Sequence, residues 1–141
     1  MKHLKKTLCL LLAVMMLLAL GVPAMAAGEV PVDAAHFPDP VLREYVTDYC
    51  DTNKDNKLSA AECEAVQCID LFEMKITKVA DMTGIEHFTQ LVALNCESNE
   101  LTALDVSKNT HLSEIYCGGN RLATLDLTGL PIKDAETDTG H

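Results

Sequence analysis

The chain has 141 residues, a formal charge of −10 at pH 7, and 4% aromatic residues with no Trp. That length holds one small domain. The acidic excess excludes nucleic-acid binding through a basic surface, and the scarcity of aromatic rings requires an aliphatic core.

Residues 1–26 read as a signal peptide. MKHLKK is a basic start, TLCLLLAVMMLLALGV an apolar run, and Ala24-Met25-Ala26 a small-x-small cleavage site. The mature chain is expected to begin at Ala27, to be secreted, and to keep no stable membrane insertion after cleavage. Loss of Lys2, Lys5 and Lys6 makes it more acidic still. The remaining cysteines are Cys50, Cys63, Cys68, Cys96 and Cys117. An odd, scattered set is not a disulfide framework.

Residues 27–35, with Pro31 and small polar neighbours, read as a linker. Residues 36–68 read as a helical cap. Asp39 is placed to cap a helix with Pro40 at its first position. Val41, Leu42, Tyr45, Val46 and Tyr49 then form an apolar stripe at helical spacing. Residues 51–62, DTNKDNKLSAAE, match a calcium loop of twelve positions. Asp51, Asn53 and Asp55 take the first three ligand positions. Lys57 offers its carbonyl, Ser59 acts directly or through water, and Glu62 binds with both oxygens. Calcium wants six to eight oxygens, and this spacing gathers them around one centre. Asn56 stands where Gly is normal; the position needs a positive φ, which Asn tolerates best of the other residues. Ser59 and Glu62 also spell a capping box, which would explain those two residues but not the alternation of Asp51, Asn53 and Asp55. An exit helix is expected over residues 60–67. Cys50 and Cys63 flank the loop, close enough in sequence for a disulfide or for two free thiols.

Residues 69–130 read as a coil of stacked turns. LVALNCESNELTALDVSKNTH (91–111) lies on LSEIYCGGNRLATLDLTGLPI (112–132) with a shift of 21 and no gap. A short fixed period signals a solenoid, and the order of residue types is the leucine-rich repeat pattern. Leu94 and Cys96, then Ile115 and Cys117, alternate inward as strand periodicity demands. Asn99 and Asn120 point inward and can bond backbone where the chain bends. Cys96 and Cys117 are expected as buried thiols about 4.8 Å apart on adjacent strands; a disulfide is the second reading. Ile69, Leu71, Ile76 and Val79 look like a first, irregular turn. Residues 131–141 are polar and acidic, and read as a disordered tail.

A helix-loop-helix segment joined to 21-residue repeats with Cys in the strand resembles the internalin type of secreted Gram-positive leucine-rich repeat proteins. Cys96 and Cys117 resemble those of its cysteine-ladder subgroup. The resemblance implies an α/β solenoid with parallel strands, closed at its leading end by an EF-hand-like cap, and a role as a binding module for a protein or cell-surface ligand rather than an enzyme. The outward strand positions Asn95, Glu97, Glu114 and Tyr116 are then the expected contact patch. The other expectation is an assembly piece with no ligand of its own, pairing through an uncapped last turn.

Overall fold

A computed structural model describes residues 28–72 and 78–137. The proposed signal peptide and Ile76 lie outside the described residues. The chain runs β1 (Val30–Pro31), α1 (Pro40–Tyr45), a π-helical turn (Val46–Cys50), β2 (Lys57–Leu58), α2 (Ala60–Ala65) and β3 (Cys68–Asp70). A 3-10 turn (Ile85–His87) follows, then β4 (Ala93–Asn95), β5 (Glu114–Tyr116) and β6 (Asp134–Glu136).

Strands β3, β4, β5 and β6 form one parallel sheet in chain order. Ile69 pairs with Leu94, Leu94 with Ile115, and Ile115 with Ala135. The 21-residue shift is therefore the register of β4 on β5. Behind the strands Ile69, Leu94, Ile115, Cys96 and Cys117 are buried, with Leu101, Leu112 and Leu122 closing the next layer. Each fully buried aliphatic side chain contributes about 1.5–3 kcal/mol, so this column is the main source of stability.

The asparagines join one turn to the next. Asn99 accepts from the Val79 amide at 2.9 Å and donates to the Cys96 carbonyl at 3.0 Å. Asn120 accepts from the Leu101 amide at 3.0 Å and donates to the carbonyls of Cys96 and Cys117 at 2.8 and 2.9 Å. On the opposite side Asn109, not singled out by the repeat pattern, donates to the Ile85 and Phe88 carbonyls at 2.8 and 3.0 Å. These groups sit at bends where no strand or helix could satisfy them.

The last turn corrects the sequence reading. Residues 131–141 were expected to be disordered, yet Asp134–Glu136 pair in parallel with β5. Backbone hydrogen bonds hold β6, including Cys117 N–H to Glu136 O at 2.8 Å and Lys133 N–H to Ser113 O at 2.7 Å. Parallel pairing needs no apolar side chain of its own. Ala135 takes the register position that Ile115 holds one turn earlier, at a spacing of 20 residues rather than 21, but it is exposed where Ile115 is buried.

Three further differences concern the cap. The linker 27–35 contributes β1, which pairs antiparallel with β2 through Val30–Leu58 and Pro31–Lys57. α2 ends at Ala65, not Gln67. Tyr49, assigned to the buried stripe of α1, is 68% exposed. The π-helical turn, closed by Asp51 N–H to Val46 O at 2.9 Å, widens the helix and carries Tyr49 off the buried face. Its ring instead packs on Tyr45, with centroids 4.9 Å apart.

Asp39 ties cap to coil. One carboxylate oxygen accepts from the Val41 and Leu42 amides at the start of α1, at 2.8 and 3.1 Å. The other accepts from the Ala80 and Asp81 amides, at 2.8 and 3.2 Å. Phe37, fully buried, packs on Phe88 beneath it.

Candidate functional site

The loop between α1 and α2 is built from side chains that turn back on their own backbone. Asp51 is fully buried and accepts from the amides of Asp55 at 3.3 Å and Asn56 at 2.9 Å. Asn53 accepts from the Asp55 amide at 2.9 Å, and Asp55 from the Lys57 amide at 2.9 Å. Asn56 has φ +64° and Lys54 φ +59°, so the left-handed turn expected at Asn56 is present. Lys54 donates to the Thr47 and Asp48 carbonyls at the end of the first helix.

Glu62 is committed differently. One oxygen accepts from the Ser59 amide and hydroxyl, both at 2.9 Å, completing a capping box. The other accepts from the Thr52 amide at 2.9 Å and the Thr52 hydroxyl at 2.7 Å. Burial would raise this carboxyl, but the hydrogen bonds from Ser59 and Thr52 outweigh it and hold it below the ordinary carboxylate range. Thr52, which the sequence reading passed over, is thus the residue that closes the loop across its ends. The fit to a cation is partial. Asp51, Asn53 and Asp55 turn their side-chain oxygens onto the loop's own amides. Glu62 spends both oxygens on protein donors, and among the described residues no three Asp, Glu, His or Cys side chains converge on a point that could hold a metal.

Cys50, Cys63, Cys96 and Cys117 are free and buried. Burial, and then the neighbouring Cys63, pushes the Cys50 thiol up to about 12. Burial also lifts Cys96, and pushes Cys117 up to about 11. A nucleophilic thiol needs the opposite, a depressed pKa and access, so these side chains serve as packing.

The second candidate site is the outward face of the sheet. The register sets Ala93, Glu114 and Asp134 in one row, and Asp70, Asn95, Tyr116 and Glu136 in the next. The expected residues Asn95, Glu97, Glu114 and Tyr116 do lie together, and β3 and β6 add Asp70, Asp134 and Glu136. Tyr116 is 9% exposed rather than projecting freely, and its hydroxyl donates to Asp134 at 3.1 Å. Burial first, then Asp134, Glu114 and Glu136, push its pKa up to about 12. Asn95 is 4% exposed; its oxygen accepts from the Glu97 amide at 3.3 Å, while its Nδ2 is buried without a hydrogen-bond partner.

Comparison with known proteins places this geometry. No protein-family model matches the chain. Internalin J of Listeria monocytogenes serotype 4b is 32% identical over 86 residues, which is 61% of this chain and 9% of that protein. Among solved structures, the chain is similar to the internalin InlF of L. monocytogenes, with a TM-score of 0.68 at 23% identity, covering 82% of this chain and 34% of that one. It is similar to internalin C2 of the same species, with a TM-score of 0.66 at 23% identity over 83% and 52% of the two chains. The functional domain of InlJ from L. monocytogenes, which includes a cysteine ladder, gives a TM-score of 0.67 at 29% identity over 79% and 24%. The chain thus spans about half or less of the length of each of these relatives.

Proposed function

We propose, starting from the internalin-like leucine-rich repeat fold that this chain has, that it is a secreted binding module for an extracellular protein or a cell-surface ligand. The observation that carries this reading is the continuous outward face of four parallel strands in register, with Tyr116 beside its centre. Asn95, Glu97, Glu114 and Tyr116 are its contact residues. Buried aromatic anchors of this kind dominate interface energies. Cys96 and Cys117, free and buried on adjacent strands, are the start of a cysteine ladder. Among the described residues no helix is long and apolar enough to cross a membrane.

Panning a displayed random-peptide library against the purified chain tests the reading. Specific peptides should be enriched, and Tyr116→Ser should lower their binding at least about tenfold, as a lost interface anchor does. Enrichment that Tyr116→Ser leaves intact would place recognition elsewhere. The second reading is an assembly piece, favoured by the half-buried Leu127, Leu130 and Ile132 under the last turn. A concentration-dependent dimer in sedimentation equilibrium would support it; a monomer throughout would remove it.

The EF-hand-like cap is part of the same proposal. Asp51, Asn53, Asp55, the Lys57 carbonyl and Ser59 are the groups that would hold calcium, with Glu62 joining them only by exchanging its Thr52 hydrogen bonds. Bound calcium would act by linkage, stabilising the folded cap by about 1.4 kcal/mol at ten times Kd. For a domain of this size that corresponds to a rise in Tm of roughly 6–11 °C. The rise should appear at millimolar calcium and be absent in Asp51→Ala, each protein compared with itself plus chelator. No shift in the unaltered chain would leave the Glu62 hydrogen bonds as the sole closure of the loop.

A further inference from the structure

His36 and His87 meet across the joint of cap and coil, with ring centroids 6.3 Å apart and planes inclined at 47°. Both are half-buried. The backbone fixes their approach. Residues 33–37 close a turn in which Asp33 Oδ1 accepts from the Ala35 and His36 amides at 2.9 and 3.1 Å, and the Asp33 carbonyl from the Phe37 amide at 2.8 Å. Gly84, at φ +113°, brings the 3-10 turn that carries His87 close to this segment; a Cβ there would lie 2.8 Å from the His36 carbonyl oxygen. Phe37, fully buried, packs on the His87 ring with centroids 5.9 Å apart.

Ring packing alone would explain two tilted rings at this distance. A second contact points to a cation. Asp33 Oδ1 lies 2.8 Å from His36 Nδ1. An ionised carboxylate can only accept, so Nδ1 carries the proton and Nε2 of the neutral ring keeps its lone pair. A carboxylate on the far nitrogen is the arrangement that orients metal-binding histidines and raises their basicity.

We propose that His36 and His87 together bind one divalent cation of the zinc class, with Asp33 positioning His36 and water filling the remaining coordination places. Imidazole suits such ions, whereas calcium takes oxygen ligands, so this site is distinct from the 51–62 loop. Two imidazoles bound to one tetrahedral ion through bonds of about 2.0–2.1 Å have centroids roughly 5 Å apart. Half-buried side chains close the remaining gap by turning about their own torsions. Among the described residues no third Asp, Glu, His or Cys completes the set, so the ion is held less tightly than a four-ligand structural zinc. His36 leads into α1 and His87 belongs to the first turn of the coil. The bound ion therefore cross-links cap to coil and stabilises the folded chain by linkage.

Zinc chloride titrated into the 15N-histidine-labelled chain, with millimolar calcium present throughout, tests the proposal. His36 Nε2 and one ring nitrogen of His87 should shift together as one equivalent is added, while His111 stays in place. His36→Gln or His87→Gln should weaken zinc binding at least about tenfold, since either change removes the gain from joining two ligands. His111→Gln should leave it unchanged. Asp33→Asn, which alters no ligand, should still weaken it about tenfold or more. Zinc at ten times Kd should raise Tm by roughly 6–11 °C, and the same concentration should raise it far less in His36→Gln, each protein compared with itself plus chelator. No shift of either ring, or a shift of one ring alone, would overturn the site. Equal loss in His111→Gln would place the ion elsewhere and overturn it too. Zinc binding that Asp33→Asn leaves intact would overturn the positioning role of Asp33.

Discussion

Gly84→Ala is expected to cost about 3 kcal/mol or more and to lower Tm by roughly 12–24 °C. Gly84 has φ +113° and opens the 3-10 turn Ile85–His87. An added Cβ would fall 2.8 Å from the His36 carbonyl oxygen and would overlap the Phe37 ring. The backbone angle is hostile to an L side chain, and the obstruction cannot easily yield. His36 O is backbone, and Phe37 is fully buried against Phe88 with ring centroids 6.3 Å apart. This is also the joint where Asp39 holds the amides of Ala80 and Asp81. The substitution therefore strikes the contact between cap and coil rather than one turn. Thermal denaturation followed by circular dichroism measures it. Trimming the ring should relieve part of the damage, so Phe37→Leu with Gly84→Ala should lose less than the two single losses added together. Strict additivity would mean that the ring is not what the new methyl meets.

Asn120→Ala is expected to cost about 3 kcal/mol. The side chain satisfies three backbone groups: the Leu101 amide and the carbonyls of Cys96 and Cys117. Each buried group left without its partner costs about 1–3 kcal/mol, less where water can enter. Asn120→Asp separates this cause from simple loss of volume. The aspartate keeps an acceptor for Leu101 N–H but turns its second oxygen on two carbonyls, where the amide donated. It should be at least as damaging as Ala, although its shape is nearly unchanged. Chemical denaturation gives both values. An Asp variant within about 0.5 kcal/mol of the unaltered chain would show that the two donations carry no weight.

What could be read from the sequence, and what could not, follows from the range of the interactions involved. The turn repeat is local and self-similar, so Leu94 over Ile115 and Asn99 over Asn120 were legible from one shift of 21. The first turn was legible too, because Ile69 carries an apolar side chain 25 residues before Leu94. β6 was not. Ala135, in register with Ile115, is small and exposed, its neighbours are acidic, and its spacing is one residue short, so neither hydropathy nor period marks it. Ile132-x-x-Ala135, repeating Leu112-x-x-Ile115 and Leu91-x-x-Leu94, was the signal available.

In the cap, the Asp39-Pro40 helix start was visible because capping is local. The second oxygen of Asp39 was not, since its partners Ala80 and Asp81 are some forty residues away. Tyr49 was misplaced because nothing in VTDYC announces a π-helical turn. In the loop, the positive φ at Asn56 was legible from the twelve-position spacing, whereas the alternation of Asp51, Asn53 and Asp55 pointed to calcium and not to the loop amides that their oxygens accept from. The partners of Glu62 were a competition between Thr52, Ser59 and a cation, and spacing alone cannot rank competitors. On the strand face, the placing of Asn95 beside Tyr116 was readable from period two and the shift of 21. Asp134 and Glu136 were lost with β6, and Asp70 lay in the irregular turn.

The most direct measurement is residue-resolved alkylation of thiols in the native chain, read by mass spectrometry. Cys96 and Cys117 lie inside the aliphatic column, 0% and 1% exposed. Both should react at least about a thousandfold more slowly than in the denatured chain, because access requires opening of the core turns. Rapid modification of either thiol in the native state would mean that these strands do not enclose a packed interior, and the stacked coil could not stand.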